Sequence, residues 1–446
     1  MPFWFRLAGV RQRSGAGNKN IVNTMLRYCA AGLLLLAMAQ QGFAETGTDP
    51  VPDRRKPQFM NDQGYYVFPM PYSIPGVGAG LGVMGIGMNV GGSYTDLFGF
   101  ALGGELTGGG AGVTDIHLLP KRLLLDVTAI QFGKSTITNY RKRGMETDKH
   151  DFSYLQFNNY GFAGGRLTAT FVDRRFEVYG GGYKIGSELD KVLDQNMSTL
   201  LEVEGSPRWR ASVYGLGVRG DLTDDYYDPR KGFRLDVGRW WSPPARSSDP
   251  DYYRIEYNAS AYLPLGKRST WVFNYFRSDA HVERKGNTNP ADIENQQGLN
   301  CSDPALTEQE KADCDSIISN IVDGNTYGTA TGLGGTSHLR SYPSDRYSGA
   351  HTVFYGTEIR WTLTEEAHPF DIFIAKDVRT VLQVAVFYEM GSVADRREDL
   401  GDVFRASYGT GFRMVTASGI VLRADVATGR EGIETTIIVG YPWESF

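Results

Sequence analysis

From Gly76 onward, apolar and polar residues alternate over segments of about ten to thirteen, a period of two that only β-strands sustain. Ile255, Tyr257, Ala259, Ala261 and Leu263 share one face of such a segment, and Arg254, Glu256, Asn258 and Ser260 share the other. Val353, Tyr355, Thr357, Ile359, Trp361 and Leu363 likewise oppose Phe354, Gly356, Glu358 and Arg360. Near the end, Phe404 to Met414 and Ile433 to Tyr441 repeat the pattern. A soluble sandwich also alternates. These segments, however, match the ~9–11 residues a tilted strand needs to cross a bilayer and exceed the usual ~5–6. They carry Arg, Glu and Asp at mid-strand, which suits a wet lumen. Aromatics gather at strand ends, at Trp240, Trp241, Tyr252, Tyr253, Tyr262 and Tyr441 to Trp443, as an interfacial girdle requires. Only a closed barrel satisfies every backbone group of a sheet in lipid. The expected fold is therefore all-β, a transmembrane antiparallel β-barrel.

Composition agrees where it discriminates. The chain has 446 residues, including 55 glycines, 25 tyrosines and 23 phenylalanines, and one short apolar run, Ala30 to Ala39. A bundle of membrane helices needs repeated runs of ~20 apolar residues. A formal charge of −5 argues against nucleic acid as a partner.

The apolar run follows Met25-Leu26-Arg27 and leads to the small residue Ala44. A positive start, a short apolar core and a small residue describe an export signal, with cleavage expected after Ala44. Residues 1–44 are thus a signal peptide with upstream sequence, initiation at Met1 or Met25 being open. Residues 45–75 read as a periplasmic linker or plug-like lead-in and 76–446 as an outer-membrane barrel. Fourteen strands can be placed, the first at 77–90 and the last at 432–442. The Gly-rich 108–118 and the region 190–207 could each hide another, giving sixteen. Long connections at 138–156, 243–250 and 283–348 are expected to face outward. The chain ends on an aromatic, Phe446, which with Tyr441 and Trp443 makes a candidate C-terminal assembly signal. Cys301 and Cys314, in the polar segment of an exported chain, most simply form one disulfide.

Motifs of catalysis fail on inspection. Gly80-Leu81-Gly82-Val83-Met84-Gly85 matches a dinucleotide fingerprint, but no helical pattern follows it. It reads as small residues on the lumen face of a first strand. Gly133-Lys134-Ser135 lacks the first glycine of a phosphate loop, which would fall at Thr128. The six histidines show no ligand spacing. No enzyme, metal site or cofactor is expected. Lumen-facing charges would be Arg234, Asp236, Glu256, Glu358, Arg360, Arg405, Arg413, Arg423 and Asp425.

Three segments point beyond a generic barrel. Gly334-Gly335-Thr336-Ser337-His338-Leu339-Arg340-Ser341-Tyr342-Pro343 closes the longest loop. About 40 residues on comes Phe387-Tyr388-Glu389-Met390-Gly391, and earlier lies Tyr227-Asp228-Pro229-Arg230-Lys231-Gly232. Together they resemble the Leu/Val-Arg-Gly-Tyr/Phe loop motif and the aromatic-x-acidic-x-Gly strand of the BamA/TamA superfamily of bacterial surface-antigen barrels. The resemblance spans roughly 205–446 well and 65–204 weakly. It implies sixteen strands and a loop folded into the lumen, where its arginine meets an acid of the wall. Strand phase agrees: Val384, Val386 and Tyr388 face lipid, so Glu389 faces the lumen. Arg340, Glu389 and Tyr342 are thus the candidate lumen latch, and exchanging the charges of Arg340 and Glu389 is expected to restore part of a broken latch. The motif glycine is Ser341 here, a concern if that position needs φ > 0. With the barrel expected from 76, the POTRA domains that receive clients in family members are not expected in this sequence.

The resemblance implies work in assembly or translocation of outer-membrane proteins or lipids, with membrane lipids, protein clients or assembly machinery as partners. The alternative is a passive pore or structural outer-membrane protein.

Overall fold

The computed structural model describes residues 58–59, 63–203, 209–244, 246–364, 370–372, 375–378, 380–416 and 420–443. The export segment 1–44 and Phe446 lie outside them. Sixteen antiparallel strands close into a barrel: β1 Gly64–Ile74, β2 Gly78–Met88, β3 Asp96–Gly104, β4 Thr107–Leu119, β5 Leu123–Tyr140, β6 Phe152–Phe171, β7 Phe176–Leu193 and β8 Trp209–Asp221. β9 Gly232–Ser242, β10 Asp251–Leu265, β11 Ser269–Arg284, β12 His351–Thr362, β13 Thr380–Ala394, β14 Arg405–Thr416, β15 Val421–Gly429 and β16 Gly432–Val439 complete it. Three shorter extended segments add to the sheet, Thr199–Glu202 beside β7, and Phe370–Ile372 and Ala375–Val378 between β12 and β13. No described helix is long and apolar enough to cross a membrane.

The alternation sets the wall. On β2, Met84, Ile86 and Met88 are buried, and Leu81 and Val83 point out. On β13, Val381, Gln383, Ala385, Phe387 and Glu389 face in, and Val386 faces out. The outer surface is consequently apolar and the lumen mixed, the reverse of a soluble protein.

Two boundaries differ from the sequence reading. The first strand is Gly64–Ile74, inside the segment expected to be a linker, so the barrel begins at 64 and not 76. Pro69 and Pro71 hid it, because proline cannot donate to a ladder and argues against a central strand. β1 pairs with β2 along its whole length, but otherwise only with β16 at one position, Ser73 opposite Ile437, and with Ala375–Val378 at two, Tyr65 opposite Lys376 and Tyr66 opposite Ala375, among the described residues. The sixteenth strand is therefore β1; the described residues of 190–207 hold the end of β7 and the short Thr199–Glu202, and the Gly-rich 108–118 does lie in a strand, β4. The fingerprint-like Gly80 to Gly85 accordingly lies on the second strand. β5 and β6 run 18 and 20 residues, which shortens the expected 138–156 connection to 141–151.

Those long strands hold up an outer cap. The loop from 285 to 350 contains α1, Pro290–Gln297, and α2, Glu308–Tyr327. Asn289 caps α1 by accepting from the Ala291 N–H, and Thr307 with Glu310 forms a capping box on α2. Ile293, Leu299, Cys314, Ile317 and Ile318 of the cap pack on Leu155, Leu189 and Val192 of the prolonged β6–β7 hairpin. The Cys301–Cys314 disulfide staples the two helical segments, their Cα atoms 5.4 Å apart. Closing so short a loop contributes about 3 kcal/mol of chain entropy. Reduction is expected to speed proteolysis within 285–327 and leave the heat-modifiability of the barrel unchanged. A shift of the whole barrel's unfolding on reduction would contradict that division.

Candidate functional site: a charged lid in the lumen

After α2 the loop turns inward. Gly334 (φ 117°) and Gly335 (φ 90°) take backbone conformations that favour glycine, and Leu339 (φ 52°), not Ser341, takes the left-handed turn of the motif. Serine therefore fits where the motif has glycine. Its N–H donates to Ser407 Oγ at 3.0 Å. Leu333, Leu339, Tyr342 and Tyr347 form a buried core with Phe276, Phe354 and Val393 of the wall.

That core carries Arg340 to the middle of the wall, with no exposure to solvent. Its Nε donates to Glu389 Oε1 at 2.8 Å, and its backbone N–H donates to Glu389 Oε2 at 2.8 Å. Nη1 reaches Asp425 Oδ2 at 2.7 Å and Nη2 reaches Glu358 Oε2 at 3.3 Å. The guanidinium lies 3.4 Å from the centroid of the Phe387 ring. Tyr342, also fully buried, donates from its hydroxyl to Ala406 O and accepts from the Arg430 N–H.

The cluster is wider than one pair. Arg413 Nη2 lies 2.7 Å from Glu358, Arg360 Nε lies 2.8 Å from the same carboxylate, and Arg423 Nη1 lies 3.0 Å from Asp425. Arg423 also donates to Thr336 O of the loop. Four guanidinium groups and three carboxylates thus share a buried site, and charge-assisted bonds offset the cost of burying them. Strand parity had placed Glu358, Arg360, Arg413, Arg423 and Asp425 in the lumen. It carried no signal that Glu358 and Asp425 would share Arg340, since which wall charges a loop meets is a matter of three-dimensional closure. Arg405, on the same lumen list, donates instead to Met145 O. A second loop anchor was not anticipated: Arg346 binds Glu431 through Nε at 2.8 Å and Nη2 at 2.7 Å, flanked by the rings of Tyr140 and Tyr347.

The C-terminal aromatics depart from the girdle expected of them. Gly440 (φ 109°) kinks the chain after β16, and Tyr441 and Trp443 turn into the lumen, where both are buried. Proline at 442 cannot extend the ladder. Tyr441 donates to Asp228 Oδ1 at 2.5 Å, which puts the Asp-Pro turn beneath the lid. Trp443 Nε1 donates to Glu389 Oε1 at 3.0 Å, and its carbonyl accepts from Asn258. The candidate latch and the chain end therefore meet on one carboxylate.

His338 lies on the loop, its ring 4.5 Å from Phe276 and 4.7 Å from Phe354. Burial pushes its pKa down to about 3, and the nearby Arg340 adds to that. A neutral form preferred in the folded state supplies stability above the unfolded pKa of about 6.5 that is lost as pH falls from there toward 3. Acidification from pH 7 to 5 is expected to raise protease access to the loop, before ordinary carboxylates protonate. His338→Phe should flatten the response in that interval, and an unchanged response would exclude His338 as its source.

The fold and this occupied lumen define a class: a transmembrane β-barrel closed from within by one of its own loops. Residues 131–297 match the Omp85 superfamily domain. Among solved structures it is similar to BamA from Haemophilus ducreyi lacking POTRA domains 1–3, at 14% identity and TM-score 0.44, covering 85% of this chain and 69% of that one. It is also similar to CdiB from Escherichia coli, at 13% identity and TM-score 0.48, covering 84% of this chain and 61% of that one. CdiB from Acinetobacter baumannii matches at 12% identity and TM-score 0.44, covering 85% and 60%. The chain thus spans about three fifths of the CdiB chains. These likenesses concern the fold. No curated protein matches the sequence.

Proposed function

We propose that this barrel resides in the bacterial outer membrane and inserts or translocates proteins or lipids there, with membrane lipids and unfolded protein clients as its partners. The observation that carries the reading is a sealed lumen beside a nearly unzipped wall. The loop and the chain end fill the barrel at Arg340, Glu389 and Trp443, while β1 and β16 share a single ladder position. A wall with so few cross-strand bonds can part laterally at low cost, whereas a plugged lumen conducts poorly. A passive pore calls for the opposite arrangement.

The test is reconstitution in proteoliposomes with a small unfolded barrel protein as client, beside planar-bilayer conductance. Accelerated client folding with low steady conductance is expected, and Arg340→Ala should raise the frequency of open events. Large steady conductance in the unmodified protein without client folding would establish the pore instead.

A further inference from the structure

The lumen is polar around Arg340 but not beside the seam. Met84, Ile86 and Met88 point inward from β2, and Phe98 of β3 lies next to them. Ile420 and Val439 pack against this patch from the other side of β1. Lumen faces of membrane barrels are ordinarily polar, so a contiguous hydrocarbon wall there needs an occupant or a function.

A cavity of about 490 Å³ opens along that wall, with Met84, Ile86, Phe98, Ile420 and Val439 among its lining residues. This is within the ~300–1,000 Å³ range of small-molecule sites. Its opposite wall is polar but charge-compensated. Arg174 pairs with Asp115 at 2.9 Å and Arg219 with Asp236 at 2.8 Å, and Arg234 pairs with Asp221 at 2.8 Å. Such a wall has no surplus positive charge to select an anion. It suits the polar end of a molecule whose remainder is hydrocarbon.

The barrel wall at the same place favours entry from the bilayer. Between Tyr66 and Ser73, no described residue pairs with the side of β1 away from β2. Pro69 and Pro71 lie in this stretch and have no N–H to give, so an added peptide strand would find bonds missing. An acyl chain needs none. Buried methionines add a soft, adaptable surface for a flexible chain.

We infer that the seam cavity takes an acyl chain of a membrane lipid, entering sideways between β1 and β16. The inference rests on the lateral seam of the proposed reading and names what that seam admits, whether or not the barrel also folds clients. The test uses the full-length barrel in vesicles of phosphatidylethanolamine and phosphatidylglycerol containing a phospholipid with a diazirine on its acyl chain. After irradiation, digestion and mass mapping, label is expected on lumen-facing Met84, Ile86 and Phe98 as well as on lipid-facing Leu81 and Val83. Ile86→Gln should lose most of the lumenal label and keep the label at Leu81, with heat-modifiability confirming the fold. Ile86→Cys provides a second measure, since a lipid-filled cavity shields it from a membrane-impermeant maleimide that reacts freely with Met197→Cys on an exposed turn. Label confined to Leu81 and Val83 would overturn the inference, and so would maleimide reaction at position 86 as fast as at 197. A barrel that fails to fold clients yet labels at Met84 and Ile86 would leave it standing.

Discussion

Arg340→Ala is expected to free the loop from the lumen and to cost about 3–5 kcal/mol, the usual penalty for breaking a buried ion pair. Among the described residues Arg340 is the only guanidinium on Glu389, so its loss strands that carboxylate in a buried site with Trp443 Nε1 and the backbone N–H of position 340 as its remaining donors. Glu389→Ala should do comparable damage from the other side. Both variants should lower the temperature of heat-modifiability and open the 285–350 loop to protease. The reciprocal exchange, Arg340→Glu with Glu389→Arg, is not expected to rescue either. Its new carboxylate would face Asp425 and Glu358, which Arg340 contacts at 2.7 and 3.3 Å. The sequence alone suggested a pair, for which a swap is conservative; the structure shows a cluster, for which it is not. Recovery in the swapped protein would show that the three-carboxylate arrangement contributes little, and single variants indistinguishable from the parent would remove the latch altogether.

Trp443→Ala should cost a similar amount, about 3–5 kcal/mol, because it empties a large buried site against Phe354 and removes a donor from Glu389. Trp443→Phe separates the two contributions. It keeps most of the ring volume and loses the bond to an ionised group, about 1.5–3 kcal/mol. The same pair of variants tests the proposed assembly signal. Deleting residues 442–446 is expected to lower outer-membrane levels while export continues. If recognition of a terminal aromatic is responsible, Trp443→Phe should reach normal levels, with only its loop loosened. If lumenal anchoring is responsible, Trp443→Phe should fall short in proportion to its stability. Normal levels of heat-modifiable barrel in the deletion variant would exclude both.

Much of the architecture was legible because a membrane strand must repeat every two residues over a full bilayer crossing. That period assigns inside and outside before any contact is known. It placed Glu389, Glu358, Arg413 and Asp425 in the lumen correctly. It failed where local chemistry contradicts the sheet. Pro69 and Pro71 disguised β1, although Tyr66 and Tyr72 keep its inward phase. At the other end the alternation runs smoothly into Tyr441, yet Gly440 turns the chain and makes lumen anchors of residues that read as a girdle.

The sequence by itself determined the fold class, the direction of the wall charges and the pairing of Cys301 with Cys314, and the family resemblance of a short motif added the loop that enters the barrel. Each follows from a local or periodic rule: alternation, composition, a pair of cysteines, or a short motif. Only the tertiary structure decided that Arg340 serves three carboxylates, that Arg346 anchors the loop again at Glu431, and that Trp443 returns to Glu389. Those contacts join residues 18 to 85 positions apart across a closed wall. Periodicity says which way a side chain points; only closure of the barrel says what it meets.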